Sequence, residues 1–216
     1  MATHDSTTQD ILPITGGCSC GLIRYQLTRV PILVHCCHCT SCQRQTGSAF
    51  ALNAVIEASA LELLPSSASA PTAPGCPNVP LGLKPAFASL TGATPPAGSP
   101  KPALVCIPTE SQLGQTVAHC PACHTGLWNH YADAGPVVAY VRVGTLDRAW
   151  QVEPDVHIYT GSRRAFLAGI DDGKPQFEEY YPGRDALVTG DALERLQALK
   201  PVISKWREDM KAALSK

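Results

Sequence analysis

No stretch of this 216-residue chain approaches the ~18 consecutive apolar residues that a membrane-spanning helix requires. Lys and Arg nowhere form a block, aromatic residues make up only 6%, and the net charge is −1 with a pI of about 6.6. That balance supplies neither a basic stripe for phosphates nor a patch for an acidic membrane surface, so neither nucleic acid nor a membrane is expected as partner. The opening MATHDSTTQD is polar and lacks the apolar core of a secretory signal, and residues 1–10 are expected to be disordered. Cysteine is present at 10 residues, well below the density of a disulfide-stapled secreted domain. The thiols are therefore expected to be reduced and the compartment cytoplasmic. At 22.9 kDa and 44% hydrophobic residues, the chain is long enough to bury a core of its own.

What the chain does have is thiols at ligand spacing. HCCHCTSCQRQTGSAF, from His35 to Phe50, sets Cys36, Cys37, Cys39 and Cys42 beside His35 and His38 with no acidic residue among them. Soft sulfur donors on one short loop select zinc. Cys37, Cys39 and Cys42 form C-x-C-x2-C, which leaves one coordination position free. Cys36, Cys39 and Cys42 form an equally regular C-x2-C-x2-C, and Cys36 as a fourth ligand would close the site. Spacing leaves these registers open. Two further pairs flank the cluster: Cys18 and Cys20 in a glycine-bracketed C-x-C, and Cys120 and Cys123 in C-x2-C. Neither pair completes a tetrahedron alone, and together they suggest one closed four-thiolate site that joins distant parts of a domain.

Alternating apolar residues predict strands over Leu22–Leu27, from Ala51 onward, and through GPVVAYVRV, with Gly144 as a bend and Asp147 as a turn or cap residue. Residues 65–102 are rich in Pro, Ala, Ser and Gly and read as an insertion, either inert on the surface or folded over the zinc pocket as a lid. Residues 184–216 read as a helical extension. Leu193, Leu196, Leu199, Ile203, Trp206 and Met210 recur at helical spacing after a capping-box-like Asp191 and Glu194, and Pro201 is expected to kink or split that helix. The apolar stripe either docks on the core or makes a homodimer interface.

The motifs GGCSCGLIRY, CHCTSCQRQTGSAF, CPACHTGLW, VRVGTLD and PDVHIYTGSR occur in this order, and in that combination the chain resembles the glutathione-dependent formaldehyde-activating enzyme family, also called the CENP-V/GFA domain. The resemblance implies a mainly β fold: small coiled antiparallel β-sheets organised around a structural four-cysteine zinc site, here spanning residues 11–183 with the insertion, and a C-terminal α-helix beyond it. It implies two zinc ions per chain, a structural one on Cys18, Cys20, Cys120 and Cys123 and a catalytic one on Cys37, Cys39 and Cys42. It also brings His157 and Arg163 near the active site, as candidates to orient a ligand and hold a carboxylate. Two departures stand out. His124 occupies a position where the family usually has glycine, because the knuckle favours a left-handed backbone, and Cys36 is an extra thiol read as a small buried side chain of its strand.

The implied activity is that of a carbon-sulfur lyase: glutathione plus formaldehyde giving S-(hydroxymethyl)glutathione, or the reverse. A zinc with a free position can hold a thiol as thiolate at neutral pH, which makes the three cysteines ligands rather than nucleophiles. Two alternatives remain at this point: a zinc enzyme acting on another small molecule, such as a biosynthetic intermediate, by hydrolysis, dehydration or isomerisation, and a zinc-stabilised binding module without catalysis.

Overall fold

The computed structural model describes residues 12–65, 101–109, 112–169 and 171–215. The expectations for residues 1–10 and for nearly all of the 65–102 insertion, lid included, lie outside these residues.

The fold is mainly β, as expected, and its strands fall into two sheets. Strands β1 (Ile14–Gly17), β2 (Arg24–Leu27) and β5 (Leu61–Leu64) form a small antiparallel sheet in the order β1-β2-β5. The larger sheet is built from β3 (Leu33–Cys37), β4 (Ala51–Glu57), β6 (Ala103–Ile107), β7 (Gln115–His119), β8 (Gly126–Tyr131), β9 (Val138–Arg142) and β10 (Val156–Ile158). Its order is β10-β3-β4-β9-β8-β7-β6, antiparallel except where β10 runs parallel to β3. A short helix α1 (Thr40–Thr46) follows β3, and a long helix α2 (Gly190–Leu214) closes the chain.

Alternation along the strands gives the large sheet two different faces. Val34, Ala54, Ile56, Ala139 and Val141 point to one side and pack with Ile14, Tyr25 and Leu27 of the small sheet. Leu33, Cys37, Ala51, Val156 and Ile158 point to the other, and there they meet Leu196 of α2. Val55, Val138 and Tyr140 continue that second face against Ile203 and Leu199. The apolar stripe of α2 thus docks on its own core. Fully burying a side chain the size of Leu196 or Ile203 stabilises the docking by about 1.5–3 kcal/mol each.

Two local expectations are corrected and a third is extended. Pro201 lies inside one unbroken helix. Pro201 and Gln197 are both exposed, so the carbonyl four residues before the proline, deprived of its amide partner, faces water. Asp191 does not cap α2; the N-cap is Thr189, without a side-chain bond, and the Asp191 carboxylate pairs with Arg29 and Arg195. Asp147 does sit in a turn, as read, but its carboxylate is buried. It takes two hydrogen bonds from the Arg24 guanidinium and one from Thr15 Oγ1 at 2.6 Å, which ties β2 to the segment after β9. A matching pair anchors the helix, since Arg195, itself buried, grips Glu57 at the end of β4 and the Val30 carbonyl.

Glycine is required at one tight crossing. A Cβ on Gly16 would stand 2.7 Å from the Thr145 carbonyl oxygen and from the Tyr25 ring, so strand β1 can lie against GTLD only with a bare backbone. Among the described residues, no helix is long and apolar enough to cross a membrane.

Candidate metal centre

Two turns bring four thiols to one point. Cys18 and Cys20 follow β1 on a bend closed by a Gly21 N–H to Cys18 carbonyl bond of 3.0 Å, with Gly21 at φ 79°. Cys120 and Cys123 lie between β7 and β8 on a second bend, where the His124 amide donates to the Cys120 carbonyl at 3.0 Å. The four sulfurs all lie within 4.8 Å of one another, with Cys18–Cys20 at 3.5 Å and Cys20–Cys120 at 3.7 Å. A tetrahedral ion with bonds of about 2.3 Å to sulfur has sulfur–sulfur edges of about 3.75 Å. The spacing fits such an ion and excludes disulfides, whose sulfurs sit about 2.05 Å apart. Hydrogen bonds reach two of the sulfurs: the Ile23 amide meets Cys18 Sγ at 3.2 Å, and Thr125 Oγ1 lies 3.1 Å from Cys123 Sγ. Burial works against charge on Cys123, yet the bonds from Thr125 and from the Cys20 backbone hold its thiol down to about 6.

His124 adopts φ 59°, the left-handed backbone expected where the family has glycine. Its side chain lines a separate cavity with His119, Gln45 and Arg142. It does not reach the cavity beside Cys37.

The second cluster is local. Cys37 ends β3, Cys39 is the N-cap of α1, and Cys42 sits in that helix, with the Cys42 amide donating to Cys39 Sγ at 3.3 Å. These three sulfurs lie within 4.8 Å of one another, and no fourth His, Cys, Asp or Glu among the described residues joins them. Cys36 is not part of this group. Its side chain leaves the opposite face of β3, since it pairs with Leu52 while Cys37 pairs with Ala51. Within the group, hydrogen bonds from Cys37 and Cys39 together with the nearby Arg142 charge hold Cys42 down at about 2, while Cys37 is pushed up.

Arg142 and Asn53 support this cluster, and the spacing of the motifs gave no sign of either. Arg142, buried, donates to Asn53 Oδ1 and to Gln45 Oε1, and Asn53 Nδ2 faces Cys42 Sγ at 4.0 Å. Three thiolates on a divalent ion leave one net negative charge, and the Arg142 guanidinium is placed to balance it.

Beside the cluster lies a cavity of about 380 Å³ lined by Cys37, Cys39, Ser41, Asn53, Asp133 and the tyrosines 131, 140, 159 and 180, among others. Strands supply Tyr131 and Tyr140, and the EEYYPGR segment supplies Tyr180 and its neighbour Tyr181. Arg184 donates to both of those hydroxyls, at 2.7 and 3.0 Å, and Tyr181 Oη also meets His35 Nε2 at 2.8 Å. Burial keeps His35 neutral, down at about 3, and pushes the Tyr140 and Tyr180 phenols up, so they remain protonated.

The remaining two sequence candidates stand elsewhere. His157 is in β10 opposite Cys36, with Nδ1 at 3.0 Å from His38 Nε2 and Nε2 at 3.0 Å from Asp172. Arg163 donates to Gln176 at 2.8 Å. Neither lines the cavity beside Cys37.

A two-sheet β domain with one closed and one open thiol cluster, each spaced to hold a metal ion, defines the class. The glutathione-dependent formaldehyde-activating enzyme family matches residues 13–75 and 100–162, more than half of the chain, and the chain belongs to that family. No curated protein matches it. Among solved structures, the crystal structure of a Rhodobacter sphaeroides protein, a structural-genomics target, is similar at 12% identity and a TM-score of 0.36, over 76% of this chain and 98% of that one.

Proposed function

We propose that this protein is a zinc enzyme that adds a thiol to formaldehyde or a related small carbonyl compound, or runs that reaction backwards as a carbon-sulfur lyase, in the cavity beside Cys37, Cys39 and Cys42. The observation that carries the reading is a three-thiol group, without a fourth ligand among the described residues, that opens on a cavity of about 380 Å³. A zinc ion held there would supply positive charge and a free position, which keep an incoming thiol of ordinary pKa about 8.5 as thiolate at neutral pH. A second ion on Cys18, Cys20, Cys120 and Cys123 has a structural role in this account.

In the addition, a sulfur–carbon bond forms, the carbonyl π bond breaks, and the proton shed by the thiol ends on the new hydroxyl oxygen. The lining has groups for each part. Buried phenols such as Tyr140 stay protonated and are donors toward a substrate oxygen, and Asp133 is a carboxylate that can take up the thiol proton. Cys37, Cys39 and Cys42 stay ligands throughout, with Asn53 and Arg142 fixing their orientation.

One observation bears on the thiol partner. The described lining holds no Lys or Arg, and its charged residue is Asp133. Among the described lining residues the two carboxylates of glutathione find no counter-charge, which supports a smaller uncharged thiol, or a zinc enzyme acting on another small molecule without a thiol. The test is to incubate the zinc-loaded protein with formaldehyde and, separately, glutathione or 2-mercaptoethanol, and to follow the hydroxymethyl thioether by NMR above the spontaneous background. An excess rate that disappears in Cys39→Ser supports the reading. No excess with either thiol turns it toward hydrolysis, dehydration or isomerisation.

A further inference from the structure

The face of β3 turned away from the cavity carries its own set of donors. Cys36 Sγ lies 3.5 Å from His38 Nε2, and His38 Nε2 lies 3.0 Å from His157 Nδ1. All three ligand atoms fall within 4.8 Å of one another, and all three residues are buried, at 3%, 2% and 7% exposure. We propose that Cys36, His38 and His157 form a third metal site, for zinc, back to back with the pocket cluster and independent of it.

The geometry is that of ligands around a small ion. Bonds of about 2.3 Å to sulfur and about 2.05 Å to nitrogen give tetrahedral edges of about 3.55 Å between sulfur and nitrogen and about 3.35 Å between nitrogens. The observed sulfur–nitrogen edge agrees, and the nitrogen pair needs to open by only a few tenths of an ångström. Asp172 completes the design. Its carboxylate can only accept, so it fixes His157 with the proton on Nε2 and a lone pair on Nδ1, aimed at the cluster. That is the carboxylate–histidine arrangement that supports metal-bound imidazoles elsewhere. One thiolate and two imidazoles suit a borderline ion such as zinc. The thiolate and the Asp172 carboxylate together match its double charge.

The competing account is a hydrogen-bonded chain from Cys36 through both histidines to Asp172, with no ion. It explains the His157–Asp172 bond equally well. A thiol proton donated to His38 Nε2 would explain the 3.5 Å contact, but that nitrogen could then give no proton to His157 Nδ1, which Asp172 leaves as a lone pair. Strand alternation keeps the two centres separate. Cys36 and His157 share one face through their register in β3 and β10, while Cys37 and Ile158 share the other.

The test is a metal count on the full-length protein, loaded with Zn2+, dialysed free of excess and analysed for zinc per chain. Three ions are expected for the wild type, two for Cys36→Ala and two for His157→Gln, with the double variant Cys36→Ala/Cys39→Ser at one. A wild-type count of two that falls to one in Cys39→Ser overturns the site, and so does a count that neither Cys36→Ala nor His157→Gln lowers. Because the pocket zinc is read separately through Cys39→Ser, failure of the third site is distinguishable from failure of the proposed activity.

Discussion

Cys18 and Cys20 stand on one turn and Cys120 and Cys123 on another, about a hundred residues later, and their sulfurs meet only after the small sheet has stacked on the large one. Cys37, Cys39 and Cys42 come from six successive residues at a strand end and a helix start, and they converge on three sides of a point whose fourth side is a cavity. The side chain is the same in both clusters; the chain path differs. Four ligands drawn from distant segments would convert binding energy into closure of a long loop, so an ion held there would be a folding element. Three ligands drawn from one local segment cross-link little, which would leave an ion there available for the proposed chemistry.

The largest expected effect tests the first half of that contrast. Cys120→Ser removes one of four ligands from a closed site whose zinc contributes on the order of 10 kcal/mol in small zinc domains. Circular dichroism should show loss of the cooperative thermal transition, and so should a chelator strong enough to strip this ion from the wild type.

Helix α2 comes next, because it covers the pocket face and is held by the buried Arg195–Glu57 pair. Arg195→Ala leaves the buried Glu57 with Arg29 alone, at 3.5 Å, which costs at most about 3–5 kcal/mol, or a melting temperature lower by at most roughly 6–20 °C. The pH dependence follows from the same pair. Burial works to raise Glu57, but the Arg195 bonds hold it below its ordinary value of 4.5 in the folded protein. The pair therefore stabilises the fold above that value and loses its contribution as the pH falls through the lower folded-state value. The variant should lose that part of the acid slope in a denaturant titration.

A smaller effect is expected behind the open cluster. Arg142→Met removes the charge and the hydrogen bonds that orient Asn53 without adding a competing ligand. Metal competition titration should show pocket affinity weaker by about 10–100-fold, with the four-thiol site unchanged. Equal weakening at both sites would erase the distinction drawn here.

The cysteines were legible in the sequence because ligands on one turn must be close in sequence, and spacing records that directly. The strand alternation around β2, β4 and β9 and the stripe of α2 were legible for the same local reason. The supports were not. Arg24 and Asp147 are 123 residues apart and Arg195 and Glu57 are 138 apart, and no local period marks such partners. The tyrosine lining is gathered from β8, β9 and two later loops, each contributing one ordinary residue. Asp191 read as a cap residue and Asp147 as a turn or cap residue by their neighbours, and the arginines they pair with were not visible there, since a buried arginine offers a carboxylate more than a backbone amide does. His157 was placed near the active site by resemblance, and only the register with β3 shows which face it takes.

Cys39→Ser tests the central claim most directly, because serine keeps an oxygen able to cap helix α1 while removing one of three sulfurs. Zinc per chain and the thermal transition, measured on the same sample, should show one ion fewer than the wild type and a melting temperature within a few degrees of it. Loss of folding along with that ion would contradict the account, since the pocket cluster would then be a structural clip like its four-thiol counterpart.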